Sequence, residues 1–245
     1  MTSLEAAAEP DIRAVPSTAD DALAVGRWVL AGLAAGAVVG FVIGGIGGRL
    51  AMFVLRLTSP DSVVGLTSDD GFTIGKFDLS DTMNLVMGNT TFGAVVGMLY
   101  AGLRGGIPSR LRLPLWVAFW TVFSGVSVIH ADGVDFTALE PRELSVALFL
   151  LLPAAGAAAI VLLVERWDAG SGWGRRQAAL AAVPALLSTF ALIIAAIAAV
   201  IGLAVRRARI SHPLHRLARV AVPLVLVAIS IVLAIDLAQE VAEIL

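Results

Sequence analysis

The chain has 245 residues, 58% of them hydrophobic and only 15% charged, with a mean hydropathy of +0.91 and a formal net charge of −2. Soluble domains run near 45–50% apolar and about 25% charged, so this composition excludes an ordinary soluble enzyme and a disordered chain, and it offers no basic face for nucleic acid. The absence of cysteine excludes disulfides, thiolate metal centres, Fe–S clusters and Cys nucleophiles.

Residues 1–24 carry Glu5, Glu9, Asp11, Asp20 and Asp21 with Pro10 and Pro16, which reads as a disordered acidic tail. A cleavable signal peptide would need a basic start and a short apolar core. Residues 25–245 read as one all-α domain, a polytopic transmembrane helical bundle. A helix needs about 20 apolar residues to cross the hydrocarbon core, and backbone in lipid must satisfy its own hydrogen bonds. On that rule six spans are expected, at about 26–55, 83–103, 114–131, 144–164, 178–205 and 218–238.

In the first span Gly32, Gly36, Gly40, Gly44 and Gly48 recur every four residues. This spacing lines one helical stripe with no side chains, so another helix can approach closely. Asn89, Gly93, Gly97 and Ala101 form a matching ridge in the second span, with Asn89 able to hydrogen-bond across the contact. The two spans are expected to pack together; a homodimer through the same ridge is the alternative. Arg49 and Arg56 follow near the outer interface. They either snorkel to headgroups or pair with a carboxylate of the next loop, holding a lid over the helices. That loop, 57–82, has Asp69 and the turn dipeptide Asp70-Gly71 between runs rich in Val, Thr, Ile and Phe, the pattern of a small extracytoplasmic β-hairpin. Asp78, Ser80 and Asp81 suit the start of the next helix.

The 104–112 loop has Arg104, Arg110 and Arg112 without an acid, so it reads as cytoplasmic. The acidic loops 57–82 and 132–143 read as outside, and 165–177, with Arg166, Arg175 and Arg176, as inside. The N-terminus is then cytoplasmic. The 206–219 loop breaks this alternation. Arg206, Arg207, Arg209, Arg216 and Arg219 occur there with no acid, yet six spans place it outside. Either these arginines sit on the unfavoured side or an earlier segment does not cross, the shortest being 114–131.

The second outer loop brings His130, Asp132, Asp135 and Glu140 close together in sequence. Histidine with carboxylates can hold a divalent cation or act as acid and base. However, neither HExxH nor an EF-hand pattern is present, and Asp132-Gly133 and Pro141 suit a turn and a helix start equally well. With Arg49, Asp69 and Asp70 on the same side, these residues form the candidate polar cluster, and the metal question stays open. No P-loop or GxSxG elbow occurs. Asp236, Glu240 and Glu243 read as a solvated acidic end of the last helix. No cofactor is expected, and the sequence leans against an enzyme.

The stretches Gly48-Arg49-Leu50-Ala51-Met52 to Thr58-Ser59-Pro60, Thr67-Ser68-Asp69-Asp70-Gly71-Phe72-Thr73-Ile74-Gly75, and His130-Ala131-Asp132-Gly133-Val134-Asp135-Phe136 to Glu140-Pro141 resemble a group of uncharacterised actinobacterial multi-pass membrane proteins. The resemblance covers about residues 44–157 and implies a bacterial source and a membrane location, with no activity or catalytic residue to carry over. The expected role is a structural or interaction subunit of the bacterial cytoplasmic membrane. Its expected partners are the lipid bilayer and a membrane protein or a second copy of the chain, with no nucleic acid. The alternatives are a small-solute transporter or channel component, and a membrane enzyme or metal-binding protein centred on His130, Asp132 and Asp135.

Overall fold

The computed structural model describes residues 18–168, 172–182, 189–207 and 212–245. Helix α1 (Thr18–Val39) continues through a π-helical segment, Gly40–Gly47, into α2 (Gly48–Thr58). Then follow α3 (Leu79–Leu103), α4 (Ser109–Val128), the one-turn α5 (Val134–Thr137), α6 (Arg142–Asp168), α7 (Gly172–Ala181), α8 (Thr189–Arg207) and α9 (His212–Ile244). The first 17 residues of the expected tail lie outside the described residues, and its last seven, from Thr18, are already helical. Among the described residues, five helical stretches are long and apolar enough to cross a membrane: Ala19–Thr58, Leu79–Gly106, Ser109–Val128, Arg142–Asp168 and Arg219–Ile244. An all-α bundle of this kind is compatible with a membrane protein.

The glycine ridge places α1 and the π segment directly on α3. A methyl added to Gly36 would overlap the Gly93 carbonyl, one on Gly40 the Asn89 carbonyl, and one on Gly32 would lie 2.7 Å from the Gly97 carbonyl. Backbone faces backbone along the contact, which only side-chain-free positions permit. The π segment then underwinds the helix, so four-residue spacing no longer returns to one face. Gly44 still lies against Asn89, where a Cβ would come within 2.7 Å, Gly45 joins it against Val86 at 3.1 Å, and Gly48 stands 4.0 Å from Leu85, outside the tight contact. Asn89 does not bond across the contact. Its amide donates at 3.0 Å to the Leu85 carbonyl one turn back, because the facing glycines offer no side-chain partner. Buried Val25, Ala34, Met98, Tyr100, Trp116 and Val164 continue this core into α4 and α6.

The connections sort into two ends. One, the loop end, carries residues 59–78 and 129–141; the other, the arginine end, carries the turn Arg104–Gly106 between α3 and α4. At the arginine end Arg112 Nη1 lies 3.0 and 3.1 Å from the two Glu165 oxygens. The Tyr100 hydroxyl donates to the same carboxylate at 2.7 Å, and Arg104 pairs with Asp168.

Two expectations are corrected here. The loop 57–82 does not form a β-hairpin: the described residues contain no strand, only an isolated bridge between Thr67 and Thr73. Gly65 and Gly75, at φ 91° and 82°, bracket that bridge in the left-handed region. Extended pairing stops at both, since strand backbone requires negative φ. Six spans are not supported either: among the described residues five helical stretches are long and apolar enough to cross, 114–131 among them, and the expected segment 178–205 is divided between α7 and α8. Helix α6 ends at the arginine end, where Asp168 meets Arg104. Helix α9 finishes at the loop end, where Glu240 accepts from the Ala131 N–H and the Ile244 carbonyl from Arg142. At 33 residues α9 is about 50 Å long, and it packs on both α4 and the Arg104–Gly106 turn, so it starts at the arginine end. The chain between Asp168 and His212 therefore leaves from and returns to one end. Helix α7 stops at Ala181.

Candidate functional site at the loop end

Local chemistry builds the loop first. Gly71 N–H donates to the Ser68 carbonyl at 2.9 Å, Ser68 N–H to Phe72 and Ile74 N–H to Leu66, each at 2.8 Å. This tight turn presents Asp69. The Asp69 carboxylate accepts from the N–H groups of Val134 and Asp135 at 2.9 and 3.0 Å. It thereby caps α5, where free N–H groups and the helix dipole favour an anion. The Asp135 carboxylate accepts in return from the Asp69 N–H at 3.3 Å. Gly133 makes the approach possible, since a Cβ there would lie 2.7 Å from the Asp69 carboxylate. A second seam joins the loops nearby. The Ser59 hydroxyl accepts from the Glu140 N–H at 2.8 Å, and the Thr58 hydroxyl donates to the Glu140 carbonyl at 2.7 Å. Asp78 caps α3 through the Ser80 N–H at 2.8 Å.

Asp135 is buried beneath this roof. Burial, and next the Asp69 charge, push its carboxyl up to about 6 against the opposing pull of the Asp69 N–H. Asp70 is also raised, by burial and then by Asp69. Carboxyl groups packed this closely resist joint ionisation. His130, Asp132 and the Glu140 side chain instead face outward. Among the described residues, no three His, Asp or Glu side chains are grouped to hold a metal ion.

Under the roof lies a chamber of about 740 Å³ whose lining includes Arg49, Arg56, Phe72, Lys76, Phe77 and Asp135. Arg56 is paired with Asp61 at 2.7 Å, so this arginine does tie α2 to the loop. Arg49 is not paired. Its guanidinium stands 4.8 Å from the Phe72 ring centroid, and its buried Nε and Nη2 have no hydrogen-bond partner. The cation–π contact supplies about 0.5–2 kcal/mol but satisfies neither N–H group. A second cavity, about 340 Å³, adjoins the chamber and shares Met52 and Phe149 with it. It reaches between α1, the π segment, α3, α4 and α6 to Trp120, Gly156 and Ile160.

The structure thus brings Asp69, Asp135 and Arg49 to one end of the bundle, with Asp70 at the rim of the smaller cavity, and leaves His130, Asp132 and the Glu140 carboxylate at the surface. Sequence reasoning missed Ser59, which joins the loops, and read Glu240 as solvated, although it accepts from Ala131 N–H at 2.7 Å. The helical spacing of Asp236, Glu240 and Glu243 was the available signal, but it carries no information about a loop more than a hundred residues away. Comparison with family models, curated proteins and solved structures finds no match for this chain.

Proposed function

We propose that this is an integral membrane protein that crosses a cytoplasmic membrane five times, with its N-terminus and arginine end in the cytoplasm and its roofed chamber outside. Its role is that of a binding or interaction subunit, with the chamber as the binding element. The orientation follows from charge. The ends of α8 and α9 that flank the 206–219 stretch lie at the same end as Arg104, Arg110 and Arg112, so every arginine-rich connection shares one side, as the positive-inside tendency requires. The observation that carries the binding role is the buried, unpartnered Arg49 guanidinium in a chamber of about 740 Å³. A cation left without partners costs stability, and an incoming anion removes that cost.

Because the chain has no native cysteine, single cysteines report the sidedness directly. Arg110→Cys and Arg219→Cys label from one side with an impermeant maleimide, and Asp132→Cys from the other. Labelling of Arg219→Cys together with Asp132→Cys would refute the five-span order. Native mass spectrometry from mild detergent tests the role: a retained small molecule or protein partner is expected, and a bare monomer in every detergent tried counts against it. A second reading, a transporter or channel component, is favoured by the 340 Å³ cavity between helices beside Pro153 and the π segment. Solute flux through proteoliposomes is its test.

A further inference from the structure

The chamber and the adjoining cavity, which share Met52 and Phe149 in their walls, differ in chemistry. The chamber lining holds three basic residues, Arg49, Arg56 and Lys76, against two acidic ones, Asp61 and Asp135. Arg56 is already engaged by Asp61, which leaves Arg49 and the exposed Lys76 for a ligand, and of these Arg49 is the one with buried donors. Past the shared Met52 and Phe149, the cavity is walled by Ile43, Trp120, Val128, Leu152 and Ile160. Its polar groups are few, and the Asn89 amide is already spent on Leu85. Asp70, Ser124 and the Trp120 indole complete its polar lining, and the rest of the wall is apolar, the surface a hydrocarbon chain needs. The rim of the chamber is itself apolar: Leu50, Phe53, Leu57 and Phe77 line it and are 58–77% exposed. Such a rim is continuous with a bilayer and gives an amphiphile lateral entry.

We infer that chamber and cavity form one site for an anionic amphiphile, in which Arg49 Nε and Nη2 hold a phosphate-type headgroup and the apolar cavity takes its hydrocarbon chain. The inference rests on the reading above of a membrane-embedded binding protein and names its ligand class. The geometry favours a lipid over free phosphate because the cation alone explains neither the apolar cavity nor the apolar rim. An Arg donates two parallel hydrogen bonds to a phosphate, and both donors on that edge are free here.

The test uses the full chain in nanodiscs of phosphatidylcholine with a minor share of phosphatidylglycerol, followed by native mass spectrometry of the retained lipid. Enrichment of phosphatidylglycerol is expected, falling about tenfold in Arg49→Gln, the equivalent of one charge-assisted contact, and largely kept in Arg49→Lys. Ser124→Phe, which fills the cavity wall, is expected to lose long-chain lipid but keep a short-chain analogue. Unchanged enrichment in Arg49→Gln overturns the inference. So does an Arg49-dependent rise in Tm with inorganic phosphate alone and no lipid enrichment, which would assign the site to a soluble anion. The membrane reading fails separately, through the cysteine labelling pattern, so the two failures are distinguishable.

Discussion

At the arginine end, Arg112 faces both oxygens of Glu165 at 3.0 and 3.1 Å, with Tyr100 on the same carboxylate and Arg104 on Asp168. At the loop end, Arg49 has an aromatic ring on one side and two buried nitrogens with no acceptor. Both ends place arginine beside half-buried helix termini, yet one network is closed and the other is left open above a cavity. A closed network holds helices in register; an open one keeps binding capacity in reserve. The contrast supports the proposed binding role of the loop end.

The largest expected effect lies between the two ends, where the α1–α3 contact holds them in fixed relation. Gly36→Leu forces a side chain into the Gly93 backbone, which cannot yield as a flexible side chain would. A loss of at least about 3 kcal/mol is expected, seen as collapsed yield of monodisperse protein and a lower Tm. A Tm equal to wild type would show that the ridge does not hold the ends together.

Next is Asp69→Ala, which removes the acceptor of two N–H groups on α5. About 2 kcal/mol is expected, confined to the loop end. Hydrogen exchange at Val134 and Asp135 should accelerate while α3 and α4 amides stay protected; uniform acceleration would contradict a local role.

Asp135 gives a pH-dependent comparison. Its carboxyl is raised to about 6 in the folded protein from an ordinary value near 4, so the folded state binds more protons in that interval. Stability therefore falls as pH rises from about 4 to 6 and stays lower above it. Asp135→Asn, which keeps the carbonyl that accepts from Asp69 N–H, should raise stability at pH 7 by roughly 2 kcal/mol. It should also flatten the Tm profile across that window. A variant with an unchanged profile would place the titration elsewhere.

The smallest effects compare the arginines directly. Arg112→Met breaks a partly exposed pair and should cost about 1 kcal/mol. Arg49→Met gives up the Phe72 contact but also removes two buried N–H groups without an acceptor, so it should be near neutral without ligand. Equal losses in thermal melts of the two variants would erase the distinction between the ends.

Much of this arrangement is local and so was legible in sequence. The four-residue glycine spacing specifies a side-chain-free stripe, because helical periodicity alone decides which residues share a face. Apolar runs marked the five long apolar helices together with a sixth segment, 178–205, that is not among them, and Arg56 with the following acidic loop foreshadowed its pair with Asp61. The Asp69–Asp135 exchange spans 66 residues and the Glu240–Ala131 bond 109, and no local pattern encodes either. The expected hairpin failed for a reason visible only in backbone angles, with Gly65 and Gly75 turning the chain out of extension on both sides.

By itself, the sequence determined the long apolar segments, the all-α class and the glycine contact face, since hydropathy and helical period act over a few turns. The tertiary structure decided how the segment 178–205 divides into two helices, which carboxylates cap and which titrate, and that two Arg49 nitrogens are buried without an acceptor. Those outcomes depend on where distant helix ends meet. Only the packed bundle, through the α1–α3 contact and the placement of α9 between the two ends, determines that.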